Sequence, residues 1–167
     1  MFFAIIFSAL IAIFFLFEPM NLKEQKFDDV PLFELTSFTL HELNRVGLQT
    51  VMTGNRAVRY EDRYSVANIN YTDNSKEYIA NMRARHGLYK DEIVELEDDV
   101  IYSREDGFTF ETSKVVYDKK TTIAVADADY VSYQGENIVN GSFVKYNNSL
   151  NRVESKNVTA TYQLKAR

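Results

Sequence analysis

The chain has 167 residues, a formal net charge of −5 and no cysteine. The acidic balance excludes a nucleic-acid binder, which needs a basic face, and the missing thiols exclude disulfides and cysteine-ligated metals. Tyr (11) and Phe (12) are abundant and both prolines, Pro19 and Pro31, lie early. Everything after Pro31 is therefore free to be strand.

The first seventeen residues, Met1 to Phe17, carry no charge and consist mostly of Phe, Ile, Leu and Ala. As a helix this run would span roughly 26 Å, a little short of a ~30 Å hydrocarbon core. A buried soluble helix would show a polar stripe, and none is present. A cleavable signal peptide needs a basic start and a small-residue cleavage site, and neither occurs before Glu18 and Pro19. The spacing predicts an uncleaved transmembrane anchor over 1–17. Residues 18–31 hold a charge cluster between two prolines and read as a linker. Lys23 and Lys26 after the run weakly favour a cytoplasmic body.

From Leu32 to the end, 32–167, short runs alternate with period two, the signature of half-buried antiparallel strands. They include Phe33/Leu35, Val58/Tyr60, Ala80/Met82/Ala84, Val100/Tyr102, Phe108/Phe110, Val115/Tyr117, Ile123/Val125 and Val158/Ala160/Tyr162/Leu164. Turn-formers such as Glu105-Asp106-Gly107 and Gln134-Gly135-Glu136-Asn137 separate them at close to ten-residue spacing. That spacing predicts an all-β sandwich, jelly roll or barrel. One short stretch, Phe38 to Asn44, has a helix-like pattern. A weak repeat of about thirty residues pairs Val100-Ile101-Tyr102 with Val131-Ser132-Tyr133, and Val115 to Asp118 with Phe143 to Asn147.

The run Glu97-Asp98-Asp99-Val100-x-Tyr102, then Asp106-Gly107-Phe108-x-Phe110-x-Thr112, Val115-x-Tyr117-Asp118, Ile123, Val131, Gly141 and Val144-x-Tyr146-Asn147 resembles the LptC family. Anchor, linker and β body follow the same layout, so the resemblance covers nearly the whole chain. It implies a V-shaped β-jelly roll in the periplasm behind one inner-membrane helix, which outweighs the two lysines. It also implies a non-enzymatic relay that takes lipopolysaccharide from an inner-membrane ABC transporter complex and hands it to a periplasmic bridge β-jelly-roll protein.

A groove for acyl chains needs large apolar side chains from facing sheets with no polar group among them. The expected lipid-binding set is Val100, Tyr102, Phe108, Phe110, Val115, Tyr117, Ile123, Val125, Val144 and Tyr146. Alternation alone favours a dry closed core, as in a membrane-tethered assembly or adhesion subunit; the resemblance brings the groove level with it, because in that architecture core and groove are one surface. Arg83, Arg85, Lys114, Lys119 and Lys120 are candidates for lipid phosphates at a rim, with scattered surface charge as the plain alternative. His41 and His86 lack neighbours at ligand spacing, and the acidic run Glu95, Glu97, Asp98, Asp99 lacks calcium-loop chemistry. No cofactor, metal site or nucleophile elbow is expected. The final alternation, Asn157 to Leu164, predicts a terminal strand. Its free edge, at Val158, Thr159, Ala160, Thr161 and Tyr162, would dock the bridge protein by strand addition; a strand internal to the sheet is the alternative.

Overall fold

The computed structural model describes residues 30–163, and the apolar run, most of the linker and Leu164 lie outside them. The described residues form an all-β, antiparallel sheet of twelve strands with no helix among them. Six are long: β1 (Phe33–Asn44), β2 (Gly47–Arg59), β3 (Tyr64–Asp73), β4 (Ala80–Lys90), β5 (Ile93–Arg104) and β6 (Phe108–Asp118). Six are short: β7 (Ile123–Ala126), β8 (Tyr130–Gln134), β9 (Asn137–Gly141), β10 (Phe143–Asn147), β11 (Arg152–Lys156) and β12 (Thr159–Thr161). The helix-like stretch Phe38 to Asn44 is strand throughout, paired along its length with β2. Its β-branched and aromatic neighbours and an available ladder outweigh a helical pattern too short to nucleate.

Each long strand is interrupted near its middle, and the interruptions line up. The ladder skips Ser37 against Asn55, Asn68 against Arg85, and Asp98–Asp99 against Ser113. Ser37, Asn68, Asp98 and Asp99 have φ between 50° and 60°. Ser, Asn and Asp are among the side chains that accept this left-handed backbone at least cost. The line continues between β7 and β8, between β9 and β10 at Ser142, and between β11 and β12 at Asn157, whose φ is 52°. The short strands are thus three further long strands cut at the same line. This crease divides the sheet into two leaves. The first leaf holds one end of each of β1–β6, continued from β6 by β7, β10 and β11; the second holds the other ends, continued from β6 by β8, β9 and β12.

Bulges at the crease reset the side-chain phase, so that apolar residues point to one inner face on both leaves. On β6, Phe110 and Thr112 face inward before the crease, and Val115 and Tyr117 after it; Ser113 and Lys114 both face out. The core sits along the inside of the crease. Leu96 (2% exposed) and Val100 (1%) are its most deeply buried large side chains, with Ala84 between them and Ile69, Met82, Val94 and Val115 packed around. Close approach requires glycine at two points. A Cβ on Gly54 would meet the Phe38 ring at 2.8 Å, and one on Gly141 would meet the Tyr130 ring at 2.6 Å. The leaves are tied at one end of the crease, where the Tyr130 hydroxyl lies 2.7 Å from Ser155 Oγ, which donates to the Phe143 carbonyl. Asn157 Nδ2 donates to Ser142 Oγ beside it.

Because buried apolar volume is concentrated at the crease, Leu96→Ala is expected to lose about 2–5 kcal/mol in urea unfolding. Tyr130→Phe, which removes only the tie to Ser155, should lose about 1 kcal/mol. A smaller loss for Leu96→Ala than for Tyr130→Phe would mean that the crease is not the core.

Candidate functional site

The inner face can be followed strand by strand through the pairing register, because directly opposed residues share a face. On the second leaf one row runs Leu40, Met52, Tyr71, Met82, Tyr102, Phe110, Ser132, Val139, Ala160. The corresponding row on the first leaf runs Phe33, Arg59, Tyr64, Tyr89, Val94, Tyr117, Ala124, Tyr146, Val153. Nine strands at about 4.8 Å give a strip on the order of 40 Å long. Its middle is covered by the crease packing. Its two ends are open: Phe33 is 53% and Leu40 46% exposed at the β1 edge, and Val153 is 62% and Tyr162 65% exposed at the other.

Eight of the ten expected lipid-binding residues fall on this inner face. Val100 and Val115 line the crease, and Tyr102, Phe108, Phe110, Tyr117, Val144 and Tyr146 stand farther out on the two leaves. Phe110 stacks on Tyr130 at 5.3 Å, and Tyr102 meets Phe108 edge-on at 6.3 Å. Ile123 and Val125 do not join them. Tyr117 opposes Ala124, so Ala124 and Ala126 face inward, and Ile123 and Val125 lie with Asp118 and Val116 on the outer face. The sequence showed an alternating Ile-Ala-Val-Ala run, and hydrophobicity favoured the wrong half of it. Ala124 stands between the inward rings of Tyr117 and Tyr146 on the two neighbouring strands. Met52, Tyr71 and Met82 belong to the same surface; their alternation was visible, though no resemblance singled them out.

Of the candidate phosphate contacts, Arg83, Arg85 and Lys114 are on the outer face. Arg85 bonds Asp99 (2.6 Å) and Lys114 bonds Glu97 (2.6 Å). His86 Nδ1 lies 3.1 Å from Asp98 Oδ2, a pairing the sequence spacing did not suggest. The acidic run is thus engaged by cations on the convex side of the crease. A depression of about 890 Å³ opens on that convex side. Asp98, Asp99, Glu111 and Asp129 line it with Arg85, which makes it unsuitable for acyl chains.

The final strand is shorter than the alternation suggested. Left-handed Asn157 breaks it at the crease, and β12 is Thr159–Thr161, pairing with β9 alone among the described residues. The Gln163 N–H donates to the side-chain oxygen of Asn137, the first residue of β9. Backbone direction alternates, so the outward N–H groups at this edge are those of Ala160 and Tyr162.

At the far lip of the second leaf, Arg104 bonds Asp106 through Nε (3.0 Å) and Nη2 (2.5 Å), and its hydrogen bond holds the Asp106 carboxyl below the usual range. Burial pushes the Tyr102 hydroxyl above its ordinary value of 10.0. Arg104 opposes the shift, and Tyr146, across the groove on the other leaf, adds to it.

A family model described as LptC, lipopolysaccharide-assembly, LptC-related, matches residues 1–163. No curated protein matches the chain.

The Tyr102 shift makes stability pH-dependent. A group with a raised folded-state value contributes stability that is complete below the unfolded value and is lost as pH rises through the folded one. Urea midpoints measured from pH 8 to 11 should therefore fall above pH 10 in the wild type. The fall should be shallower in Tyr102→Phe; identical pH profiles would show that the hydroxyl is not held in the groove.

Proposed function

The chain belongs to the LptC family of lipopolysaccharide-assembly proteins, and from that premise we propose that its inner face is the path along which lipopolysaccharide moves. The observation that carries this reading is the strip itself. It is apolar and aromatic over most of its length, buried only at the crease, and exposed at both outer strands. A closed structural core would hide its end strands, whereas a conduit leaves them open. Acyl chains laid across the strands would exchange water for Leu40, Met52, Met82 and Phe110 at no polar cost.

The family's layout supports the remaining parts of the proposal. Residues 1–17 anchor the chain in the inner membrane, residues 18–31 link anchor to body, and residues 32–167 form the periplasmic lipid-binding domain. The protein receives lipid from an inner-membrane ABC transporter complex and passes it to a periplasmic bridge protein. On this reading it does so without a catalytic step of its own, in keeping with a family of transport components. The bridge protein docks on the β12 edge at Val158, Thr159, Ala160, Thr161 and Tyr162, where outward N–H groups and exposed Val158 and Tyr162 prolong both the ladder and the apolar strip.

Register parity gives a direct test. Photo-crosslinkers at Phe110 and Ala124 should capture lipopolysaccharide in cells, and those at Glu111 and Val125 should not. Equal capture at inner and outer positions would overturn the groove. Tyr117→Asp should abolish transport while the protein still accumulates, since an ionised carboxylate among acyl chains costs several kcal/mol. For the edge, Tyr162→Pro removes an outward N–H and no internal ladder bond. Melting should be unchanged and capture of the bridge protein lost; retained capture would place docking elsewhere.

A further inference from the structure

The two walls of the groove differ in chemistry. On the second leaf the row Leu40, Met52, Tyr71, Met82, Tyr102, Phe110, Ser132 is weighted to carbon and sulfur, with two phenols and one serine hydroxyl. The first leaf presents Tyr64, Tyr89, Tyr117 and Tyr146 in one row, each an apolar ring with a hydroxyl at its tip. In the same row, at the lip beside β1, stands Arg59, opposed to Phe33 on one side and Tyr64 on the other. Its guanidinium carbon lies 5.3 Å from the centre of the Tyr64 ring, which leans against Tyr89 at 6.0 Å. Lys119 Nζ lies 5.2 Å from the Tyr89 ring, with the Glu92 carboxylate 3.9 Å away accepting the Tyr89 hydroxyl at 2.9 Å.

Among the described strand residues, Arg59 and Arg104 are the two whose guanidinium groups belong to the inner face, one at each lip. They are not equivalent. Arg104 is neutralised through two bonds to Asp106. Arg59 has no carboxylate within ion-pair distance among the described residues, and its contact is the face of Tyr64. Ring stacking leaves the guanidinium edge, with its fork of N–H donors, free for a planar or tetrahedral oxyanion. An unpaired cation beside an apolar groove suits a ligand that is anionic at one end and apolar at the other.

We propose that Arg59, held on Tyr64 at the first-leaf lip, binds a phosphate of the lipid headgroup and so sets the lipid's direction in the groove, sugars and phosphates toward the tyrosine row and acyl chains on the second leaf. The proposal rests on the groove reading above and adds a residue and an orientation to it. Lys119 on Tyr89 supplies a second, partly neutralised cation along the same lip.

The test compares the full-length protein in detergent with two probes: bisphosphorylated lipid A and the same lipid after removal of both phosphates. Wild type should bind the phosphorylated form about tenfold more tightly, the size of one charge-assisted bidentate contact. Arg59→Gln should erase that preference while leaving the affinity for the dephosphorylated lipid unchanged, and Arg59→Lys should restore part of it. Arg56→Gln, on the same strand but bonded to Glu34 on the outer face, should behave as wild type. Equal binding of both lipids by wild type, or a preference that survives in Arg59→Gln, overturns the phosphate assignment and leaves the groove standing. Failure of the wild type to bind either lipid overturns the groove, and the assignment with it.

Discussion

The crease through Ser37, Asn55, Asn68, Arg85, Asp98–Asp99 and Ser113 is the constraint on which the other features depend. A flat sheet of this width would expose one face of large apolar side chains along its whole length. Folding it along one line lets small and branched residues at the crease bury one another, and leaves the outer parts of each leaf to diverge. The cost is local. A few polar residues adopt left-handed backbone, and the ladder skips one pair per strand. The return is a core of modest size along a single seam, at Ala84, Leu96 and Val100.

Charge is placed on the outside of the same line. Where two successive residues turn outward, they are polar and engage one another: Arg85 with Asp99, His86 with Asp98, Lys114 with Glu97. These exposed pairs contribute little individually to stability. Their effect is on specificity. A one-residue slip of β5 would turn Leu96 and Val100 out to water and carry aspartate toward the seam residues Ala84 and Val115, and the penalty for that selects the observed register. The bulge and its charges thereby decide which side of every strand faces the groove.

Function and stability compete for the same side chains. Apolar residues near the crease are buried and hold the fold; those one row farther out are left partly open, where a ligand can reach them. Under the proposed function tyrosine suits the second position, because its ring can pack on acyl chains and its hydroxyl tolerates water when the groove is empty. The exposed β1 and β12 edges follow the same logic under the proposed function, since a capped edge would protect the monomer but interrupt a path that continues into a neighbour.

Much of this was legible in the sequence. Strand content, turn positions and the inward parity of Phe108, Phe110, Val115 and Tyr117 all follow from period-two alternation. So does the common face of Tyr117 and Tyr146, each followed by an Asx turn that caps its hairpin, with Asp118 accepting from Lys120 and Asn147 from Leu150. Local pattern decides these because alternation and turn chemistry act over a few residues. It could not decide features that depend on distant partners. The echo of Val100-Ile101-Tyr102 in Val131-Ser132-Tyr133 has opposite parity, since Ser132 opposes Phe110 and turns Val131 and Tyr133 outward. Ile123 and Val125 lost the inner face to Ala124 and Ala126 because the register is set by the partner strands, where Ala124 opposes Tyr117 on one side and Tyr146 on the other. Arg59 reads as one more surface cation until the sheet stands it beside Tyr64 and leaves Asp106 to Arg104. The sequence by itself determined the periodicity, the turns and the apolar run. Only the tertiary structure decided which face is inside, because a face is defined by what lies across from it.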